Sequence, residues 1–415
     1  MEEMIITEQT QEKVILVAVS CDDYGRENDI DTETSLDELA ELVDTAGAVT
    51  VGRMIQNREK VHNGTYIGKG KIEELKALIA ELDADAIVTD DELSPAQMRN
   101  LEDLLDVKIC DRTMIILDIF AKHAVTREGK IQVELAQLKY SLQRLTGKGI
   151  AMSRLGGGIG TRGPGEKKLE QDRRLIRDRI SRLKEELREI VDNRTLLRKQ
   201  RERNAVPVIA IVGYTNAGKS TLLNKLTSSD ILAADMLFAT LDATTRKLKL
   251  ASGQEILLTD TVGFINKLPH HLIEAFRSTL EEASFADVIL HVVDASNDNA
   301  FNQMAVVYDT LRKLEADGKP VITALNKQDV AEGESVKDLK ADYVVKISAK
   351  TGAGLDELKE VIETVLKDQK VYIEKIVPYS EGGYLNQIRK YGQVVTEDYR
   401  AEGVFIQAYV PKRFE

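Results

Sequence analysis

The stretch VPVIAIVGYTNAGKS at residues 206–220 decides the fold of the second half of the chain. Residues 206–213 are an apolar run typical of a buried strand, and TLLNKLT at residues 221–227 has the pattern of a helix. GYTNAGKS matches the spacing G-x-x-x-x-G-K-[ST], whose glycines let successive backbone N–H groups turn inward around a phosphate. The N-terminus of the following helix adds partial positive charge. The stretch therefore predicts a phosphate-binding loop in an α/β domain.

Further apolar runs extend this domain towards the C-terminus. Strands are predicted at residues 206–213, 255–260, 287–294, 320–326 and 343–348, with helical patterns between them. Strands that alternate with helices are typical of a doubly wound, mainly parallel sheet. We therefore predict an α/β domain at residues 205–366.

Two motifs downstream of the loop predict the base of the nucleotide. NKQD at residues 326–329 follows a predicted strand, and the Asp329 carboxylate can accept from both N1–H and the N2 amino group of guanine. Adenine lacks this pair of donors, and an unpaired carboxylate would be costly. SAK at residues 348–350 follows another predicted strand and can supply backbone N–H groups to the guanine oxygen. In this order after the phosphate loop, the motifs predict guanine.

DTVGF at residues 260–264 follows a predicted strand and predicts contacts to metal and phosphate. We expect Asp260 to hold Mg²⁺ through water and the Gly263 N–H to contact the γ-phosphate. In the phosphate loop, Ser220 is expected to ligate the same ion and Lys219 to reach the β/γ oxygens.

FATLDATTR at residues 238–246 lies where a switch loop with a magnesium-ligating threonine belongs. Thr240 is the predicted ligand, with Thr244 and Thr245 as alternatives. The order of all these motifs is that of translation-factor-like GTPases, which switch through contacts to the γ-phosphate.

The predicted site can be stated residue by residue. The catalytic residues are Lys219, Thr240 and Gly263, and the metal ligands are Ser220, Thr240 and, through water, Asp260. The nucleotide-binding residues are Gly213, Tyr214, Thr215, Asn216, Ala217, Gly218, Lys219, Ser220, Thr221, Phe238, Ala239, Thr240, Leu241, Asp242, Asp260, Thr261, Val262, Gly263, Asn326, Lys327, Gln328, Asp329, Ser348, Ala349 and Lys350.

One position departs from the pattern of many such GTPases. A glutamine after D-x-x-G commonly orients the attacking water, and here that position is Phe264, which cannot hydrogen-bond water. We therefore expect slow intrinsic hydrolysis that a partner or another polar group completes. Asn216 occupies the place where some GTPases of this class hold K⁺, so dependence on K⁺ is an additional hypothesis.

Residues 1–124 predict a separate N-terminal α/β domain. Strands are predicted at residues 14–20, 48–55, 85–90 and 107–112, and helices at residues 35–47, 71–82 and 94–105. The first helix ends at Gly47, and the third has Ser94 as its N-cap and a proline at its first position. At the other end of the chain, residues 367–415 alternate two strand patterns with a short helix and predict a small C-terminal α/β domain.

Residues 125–204 predict an antiparallel coiled helical hairpin. Apolar residues recur at steps of three, four or seven on both sides of a glycine-rich segment, as in a helix–helix seam. The second helix is expected to begin near Glu166 and to end near Arg203. The seam residues are Ile131, Leu135, Leu138, Leu142 and Leu145 in the first helix and Leu169, Ile176, Ile180, Leu183, Leu187, Ile190 and Leu197 in the second.

The sequence SRLGGGIGTRGPGEKK at residues 153–168 lies at the predicted basic tip, residues 146–165. Residues 122–205 carry 22 Lys and Arg against 11 Asp and Glu, although the whole chain has a net charge of −12. Cations and small residues together can follow an RNA backbone closely, whereas the alternative is a solvated helical face. The predicted RNA contacts are Arg154, Gly156, Gly157, Gly158, Arg162, Gly163, Gly165, Lys167, Lys168, Arg173 and Arg174.

Composition excludes several classes of protein. The 415 residues include only two cysteines and five histidines, in no ligand spacing, which argues against a disulfide framework and a zinc site. The apolar runs are shorter than the ~18 residues of a membrane span. The acidic, polar start MEEMIITEQT does not read as a secretory signal. We therefore expect a cytoplasmic protein.

Three segments together resemble the HflX GTPases: ILDIFAKHAVTREGKIQVELAQLKY at residues 116–140, SRLGGGIGTRGPGE at residues 153–166 and LEQDRRLIRDRI at residues 169–180. YIGKGKIEEL at residues 66–75, FATLDATTR and DTVGFI agree, so the resemblance covers nearly the whole chain. Ala243 stands where the family usually has proline, which loosens the predicted switch loop. Lys167 stands where threonine is expected, which adds charge to the tip.

The resemblance implies a bacterial GTPase that binds GTP and GDP, contacts the RNA of the large ribosomal subunit, and dissociates stalled ribosomes under stress. It also implies that ribosomes stimulate hydrolysis. We expect a monomer without a membrane span, and peripheral association with membranes is left open. One alternative is an RNA-binding or remodelling module in which GTP is only regulatory and the N-terminal half acts, with ATP. The other is a GTPase switch that docks a protein through the hairpin.

Overall fold

The computed structural model describes residues 11–21, 31–153, 164–204, 206–227, 237–238, 244–269, 272, 282–331 and 336–410. Within these ranges, the side chains of residues 146–153, 164–169 and 195–204 are not described. The chain divides into two compact units, the first comprising Met1–Leu187 and Lys267–Ala275 and the second Arg188–Asn266 and Phe276–Glu415. The two units divide between Leu187 and Arg188, inside the helix Pro164–Asn204.

A four-stranded parallel sheet organises the first unit. The elements are β1 (Lys13–Cys21), α1 (Thr32–Ala46), β2 (Val49–Arg58), α2 (Lys69–Leu82), β3 (Ala86–Thr89), α3 (Pro95–Leu105), β4 (Lys108–Asp111) and α4 (Arg112–His123). The strand order is β2-β1-β3-β4. The predicted α/β alternation is therefore confirmed, with all four strands in place.

Local capping explains where these helices begin and end. α1 begins at Thr32, three residues before its predicted start, because the Asp31 side chain accepts from the backbone N–H groups of Glu33 and Thr34. It ends at Gly47, whose φ of 90° is favourable only for glycine. α3 has a capping box between Ser94 and Gln97, with a proline in its first turn.

Two long helices follow in the chain, α5 (Arg127–Ser153) and α6 (Pro164–Asn204). Arg127 pairs with Glu186 at 3.3 Å, and the Arg179 Nε donates to Glu134 at 2.7 Å. Partners that rise along α5 and fall along α6 show that the helices are antiparallel, as predicted. Both helices extend further towards the tip than the pattern predicted. The connecting residues 154–163 lie outside the described residues.

A six-stranded sheet in the second unit has the order β10-β9-β8-β5-β7-β6. Its elements are β5 (Val208–Gly213), α7 (Lys219–Thr227), β6 (Thr244–Lys249), β7 (Glu255–Asp260), α8 (Glu282–Phe285), β8 (Val288–Asp294), α9 (Ala300–Lys313), β9 (Val321–Asn326), β10 (Tyr343–Lys346) and α10 (Leu355–Asp368). All pairs are parallel except β6 with β7. The predicted doubly wound sheet is therefore confirmed. The edge strand β6 was not predicted, because its half-exposed TTRKLK sequence lacks an apolar run.

The C-terminal elements form a three-stranded antiparallel sheet in the order β11-β13-β12. They are β11 (Val371–Val377), a 3₁₀ turn (Tyr379–Glu381), α11 (Gly382–Tyr391), β12 (Gln393–Arg400) and β13 (Gly403–Val410). Buried residues such as Ile373, Ile388 and Ile406 form a separate small core. The sequence predicted β11, the helix and β13 but missed β12, which is largely exposed.

Candidate guanine-nucleotide-binding site

The predicted phosphate loop connects β5 to α7 in the second unit. Gly218 adopts a φ of +92°, and a Cβ at this position would lie 2.3 Å from the Asn326 side-chain nitrogen. Both the backbone conformation and the space therefore require glycine. Asn216 is exposed in the same loop with a φ of 60°, a conformation that asparagine tolerates better than most residues.

Lys219 is the buried cation of this loop, with 7% of its surface exposed. Its ammonium donates to the Tyr214 carbonyl at 2.6 Å. Burial lowers the pKa of Lys219 to about 8, although the negative charge of Asp260 partly opposes this change. Phosphate oxygens are stronger acceptors than a carbonyl, so the loop holds a donor that a nucleotide can recruit.

Ser220 and Asp260 converge although they lie 40 residues apart in sequence. The Ser220 hydroxyl donates to the Asp260 Oδ2 at 2.7 Å, and Asp260 is fully buried at the end of β7. A hydroxyl and a carboxylate oxygen at this separation suit Mg²⁺, which prefers oxygen ligands. The donor chemistry therefore fits the predicted ion.

Asn326 connects the loop to the predicted base-recognition motifs. Its Nδ2 donates to the Ala217 carbonyl at 2.8 Å, and its Oδ1 accepts from the Ala349 N–H at 2.8 Å. The side chain is 3% exposed, so both of its hydrogen bonds are protected from water. One amide thereby joins three loops at the carboxyl ends of parallel strands, where ligands bind in open α/β sheets.

Asp329 lies exposed beside this junction. Its carboxylate accepts from the Ser348 hydroxyl at 2.6 Å, and this hydrogen bond lowers the pKa of Asp329. The carboxylate is therefore held ionised and ready to accept. Lys327 pairs with Asp294 at 2.7 Å. Sequence reasoning missed Asp294, although its position at the carboxyl end of a strand is a usable signal.

The D-x-x-G segment lies against the phosphate loop. The Thr215 N–H donates to the Phe264 carbonyl at 2.8 Å, and the Phe264 N–H donates to the Gly213 carbonyl at 3.1 Å. The Phe264 side chain is 1% exposed and belongs to the core. A Cβ at Gly263 would lie 2.9 Å from the Thr215 Cα and 3.0 Å from the Lys219 Nζ, so this close approach requires glycine.

Other predicted residues differ in how far the structure describes them. Thr261 donates to the Ile211 carbonyl at 2.8 Å, Phe238 is buried, and Lys350 is exposed. The predicted ligand Thr240 lies outside the described residues, as do Ala239, Leu241 and Asp242. Of its alternatives, Thr244 lies opposite Asp260 in the β6–β7 pair, and the Thr245 hydroxyl is 3.0 Å from that of Thr259.

Only part of the predicted RNA surface is described. Arg174 is exposed, whereas the Arg173 guanidinium donates to the Leu145 carbonyl at 2.9 Å and thereby links the two helices. The side chains of the other predicted contacts, all between Arg154 and Lys168, lie outside the described residues.

Comparison with known proteins agrees with this geometry. Residues 33–121 match the family described as "GTP-binding GTPase N-terminal", residues 123–201 match "GTP-binding GTPase Middle Region", and residues 208–327 match "50S ribosome-binding GTPase". A GTPase HflX from Lacrimispora saccharolytica is 63% identical over 99% of this chain and 96% of its own. The chain belongs to the HflX family of GTPases. It is thus a GTP-hydrolysing enzyme, of a class that generally depends on Mg²⁺.

Other relatives lie at lower identity. A GTPase HflX from Caldanaerobacter subterraneus subsp. tengcongensis is 49% identical over 96% of this chain and 91% of its own. The solved structure of a GTP-binding protein from Sulfolobus solfataricus in complex with GDP is 24% identical, with a TM-score of 0.43 over 85% of this chain and 98% of its own. Among the described residues of this HflX family member, no helix is long and apolar enough to cross a membrane.

Proposed function

We propose that this HflX GTPase binds the large ribosomal subunit in a GTP-dependent manner and dissociates stalled ribosomes under stress, and that the subunit stimulates its slow hydrolysis of GTP. The observation that carries the nucleotide part is the junction at Asn326. This side chain bonds both the phosphate loop and the Ser348–Lys350 loop, which supports the proposal that the phosphate and base motifs form one site.

Within this site, each residue has a proposed role. The Lys219 ammonium gives up its hydrogen bond to the Tyr214 carbonyl and donates to the β/γ-phosphate oxygens instead. Asp329 accepts from N1–H and the N2 amino group of guanine. Ser220 and, through water, Asp260 would hold Mg²⁺, which would neutralise phosphate charge. The Gly263 N–H contacts the γ-phosphate, with Thr240 as the proposed switch-loop ligand.

Slow intrinsic hydrolysis follows from the position of Phe264. Its ring is packed in the core and offers no hydrogen bond to an attacking water. A group supplied by the large subunit completes the site in this proposal. K⁺ at Asn216 is a further proposal, supported by the exposure of that side chain in the phosphate loop. Equal turnover in K⁺ and Na⁺ would refute it.

Two observations support the ribosome as the partner. The family matched by residues 208–327 is described as ribosome-binding, and residues 122–205 carry a twofold excess of Lys and Arg over Asp and Glu. The glycine-rich segment connects the two antiparallel helices in sequence, and we propose it as the tip of the hairpin. There its cations can neutralise RNA phosphates.

The deciding experiment measures GTP turnover with and without purified large subunits, followed by sedimentation of ribosomes incubated with the protein and GTP. We expect stimulation by about 10³-fold, the scale of groups supplied in trans to related GTPases, and separation of the subunits. Stimulation by a purified protein partner but not by large subunits would favour the docking switch. If the protein binds RNA but large subunits do not stimulate its GTP turnover, the alternative of an RNA-binding module with a purely regulatory GTP site is favoured.

A further inference from the structure

Thr215 in the phosphate loop carries a buried hydroxyl. The residue is 6% exposed, and among the described residues no group donates a hydrogen bond to its Oγ1 or accepts one from it. A hydroxyl that is buried and unsatisfied costs stability, so native proteins keep few such groups, and some of these serve catalysis. Valine has nearly the same shape and would avoid this cost. The presence of threonine therefore points to a role in the nucleotide-bound state.

The backbone of Thr215 is fixed against the D-x-x-G segment. Its N–H donates to the Phe264 carbonyl at 2.8 Å, and the Phe264 N–H donates to the Gly213 carbonyl at 3.1 Å. These two hydrogen bonds join the beginning of the phosphate loop to the residue that follows Gly263. They therefore determine where the Thr215 side chain lies relative to Gly263.

The Thr215 side chain lies beside the two groups that are proposed to contact the terminal phosphates. A Cβ built on Gly263 would lie 2.9 Å from the Thr215 Cγ2 and 3.0 Å from the Lys219 Nζ, so the three residues converge on one point. Rotation about the Cα–Cβ bond of Thr215 exchanges its hydroxyl and methyl groups between staggered positions. The hydroxyl can thereby take the place of Cγ2, next to Gly263 and Lys219.

We propose that Thr215 is a catalytic residue of GTP hydrolysis, which performs the task of the glutamine that Phe264 replaces. A hydroxyl has one proton to donate and two lone pairs to accept. It accepts from the attacking water and donates to a γ-phosphate oxygen, which aligns the water with the γ-phosphorus. The water oxygen bonds to that phosphorus, and GDP leaves with the electron pair of the broken bond to the β–γ bridging oxygen. One proton of the water stays on the phosphate product and the other goes to solvent.

This role agrees with slow intrinsic turnover. A neutral hydroxyl orients the water but adds no positive charge to the transition state, whereas the arginine that partners supply to some GTPases does. Thr215 thus accounts for the basal rate, and the large subunit for its stimulation. The inference deepens the proposed function and rests on its contact between Gly263 and the γ-phosphate.

Single-turnover hydrolysis of GTP by the full chain with Mg²⁺ tests the role in Thr215→Val and Thr215→Ser. Valine keeps the shape but removes the hydroxyl, so the rate should fall about tenfold, the scale of one or two hydrogen bonds made in the transition state. Serine should restore most of the rate. GDP affinity should be unchanged in both variants, because GDP lacks the γ-phosphate. Thr215→Val should also raise the midpoint of thermal unfolding of the nucleotide-free protein, because it removes an unsatisfied hydroxyl.

Thr310→Val is the matched control. Thr310 is 8% exposed in α9, and its hydroxyl donates to the Val306 carbonyl at 2.8 Å, so its loss should neither slow hydrolysis nor raise the thermal midpoint. An unchanged rate in Thr215→Val, an equally low rate in Thr215→Ser, or a loss of GDP affinity along with the rate would overturn the catalytic role alone. Failure of the wild type to bind GDP with Mg²⁺ would overturn the nucleotide site, and the role with it.

Discussion

At the scale of single residues, Asp329 is the group that should select the base. Ser348 orients its exposed carboxylate through the 2.6 Å hydrogen bond, so the acceptor is in place before a nucleotide binds. We predict that Asp329→Asn weakens GTP binding about a hundredfold, because two charge-assisted hydrogen bonds of about 1.5 kcal/mol each are lost. Xanthosine triphosphate, whose ring offers an acceptor in place of the amino group, should gain affinity.

Titration calorimetry with both nucleotides measures this exchange of preference. Ser348→Ala is the matched control, because it removes only the orienting hydroxyl and should lower GTP affinity without favouring xanthosine triphosphate. Equal GTP affinity in the wild type and in Asp329→Asn would refute the assignment of guanine to this carboxylate.

Lys219 should make nucleotide binding depend on pH. Burial holds its pKa at about 8 in the free protein, and the negative phosphates of a bound nucleotide raise it. The protonated form binds, so GTP affinity should be constant below pH 8 and fall by up to about tenfold per pH unit above it. Binding of a fluorescent GTP analogue between about pH 7 and 9 measures the slope. Lys219→Arg keeps its charge throughout, and a slope that persists there would assign the titration to another group.

Phe264 should not be replaceable by the glutamine that other GTPases carry. Its side chain is 1% exposed in the core, so an amide placed there is buried rather than directed at a water molecule. We predict that Phe264→Gln leaves turnover slow and lowers the free energy of unfolding by about 3 kcal/mol or more, through the lost packing and an unsatisfied polar group. A rise in turnover without loss of stability would show that this side chain reaches the nucleotide.

At the scale of elements, the apolar seam rather than the ion pairs should hold the helical hairpin. Leu183 is 1% exposed, whereas the side chains of Arg179 and Glu134 are 48% and 40% exposed. Exposed pairs contribute only about 0–1 kcal/mol, while Leu→Ala in a core costs about 2–5 kcal/mol. Leu183→Ala should therefore strongly decrease the protection of amides in residues 127–145 against hydrogen–deuterium exchange. Arg179→Ala should decrease it only slightly.

GTP affinity is the internal control for the hairpin variants, because the proposed nucleotide contacts all follow residue 212. Both variants should bind GTP like the wild type. If Arg179→Ala destabilised the hairpin as much as Leu183→Ala, the ion pairs and not the seam would determine its stability.

At the scale of the whole molecule, nucleotide binding and ribosome stimulation should be separable. Replacing Gly156–Gly165 by a short helix–helix turn leaves the described seam residues and the phosphate loop unchanged. We predict unaltered GTP affinity and intrinsic turnover, with loss of stimulation by large subunits and of subunit separation. Turnover assays with and without large subunits measure the stimulation, and sedimentation measures the separation of the subunits.

A milder variant keeps the length of the tip and changes Arg154, Arg162, Lys167 and Lys168 to alanine. If these cations contact phosphates, the slope of log affinity for large subunits against log salt should flatten by about one unit per lost contact. The control variant changes Lys313 and Lys346, which lie far from the tip in sequence, to alanine. It removes two positive charges, half as many as the tip variant removes, and should leave the slope unaltered. An unaltered slope with full activity would show that the segment only connects the two helices and does not contact RNA phosphates.

The sequence alone determined those features of the protein that depend on residues close together in the chain. The phosphate loop, the strands of both parallel sheets and the Ser94 cap follow from local periodicity and turn chemistry, and the antiparallel hairpin follows from the spacing of its apolar residues. The identity of the family was also present in contiguous motifs. Strands β6 and β12 were not predicted, because their sequences lack the apolar alternation on which strand prediction depends.

Only the tertiary structure decided which distant groups meet. Asn326 reaches Ala217 across 109 positions of sequence, and Ser220 reaches Asp260 across 40. The burial of Phe264 and the lowered pKa of Lys219 likewise depend on what surrounds them. Such contacts follow from the order of the strands in the sheet. Because a side chain's neighbours across a sheet bear no fixed relation to its neighbours in sequence, local pattern could not reveal them.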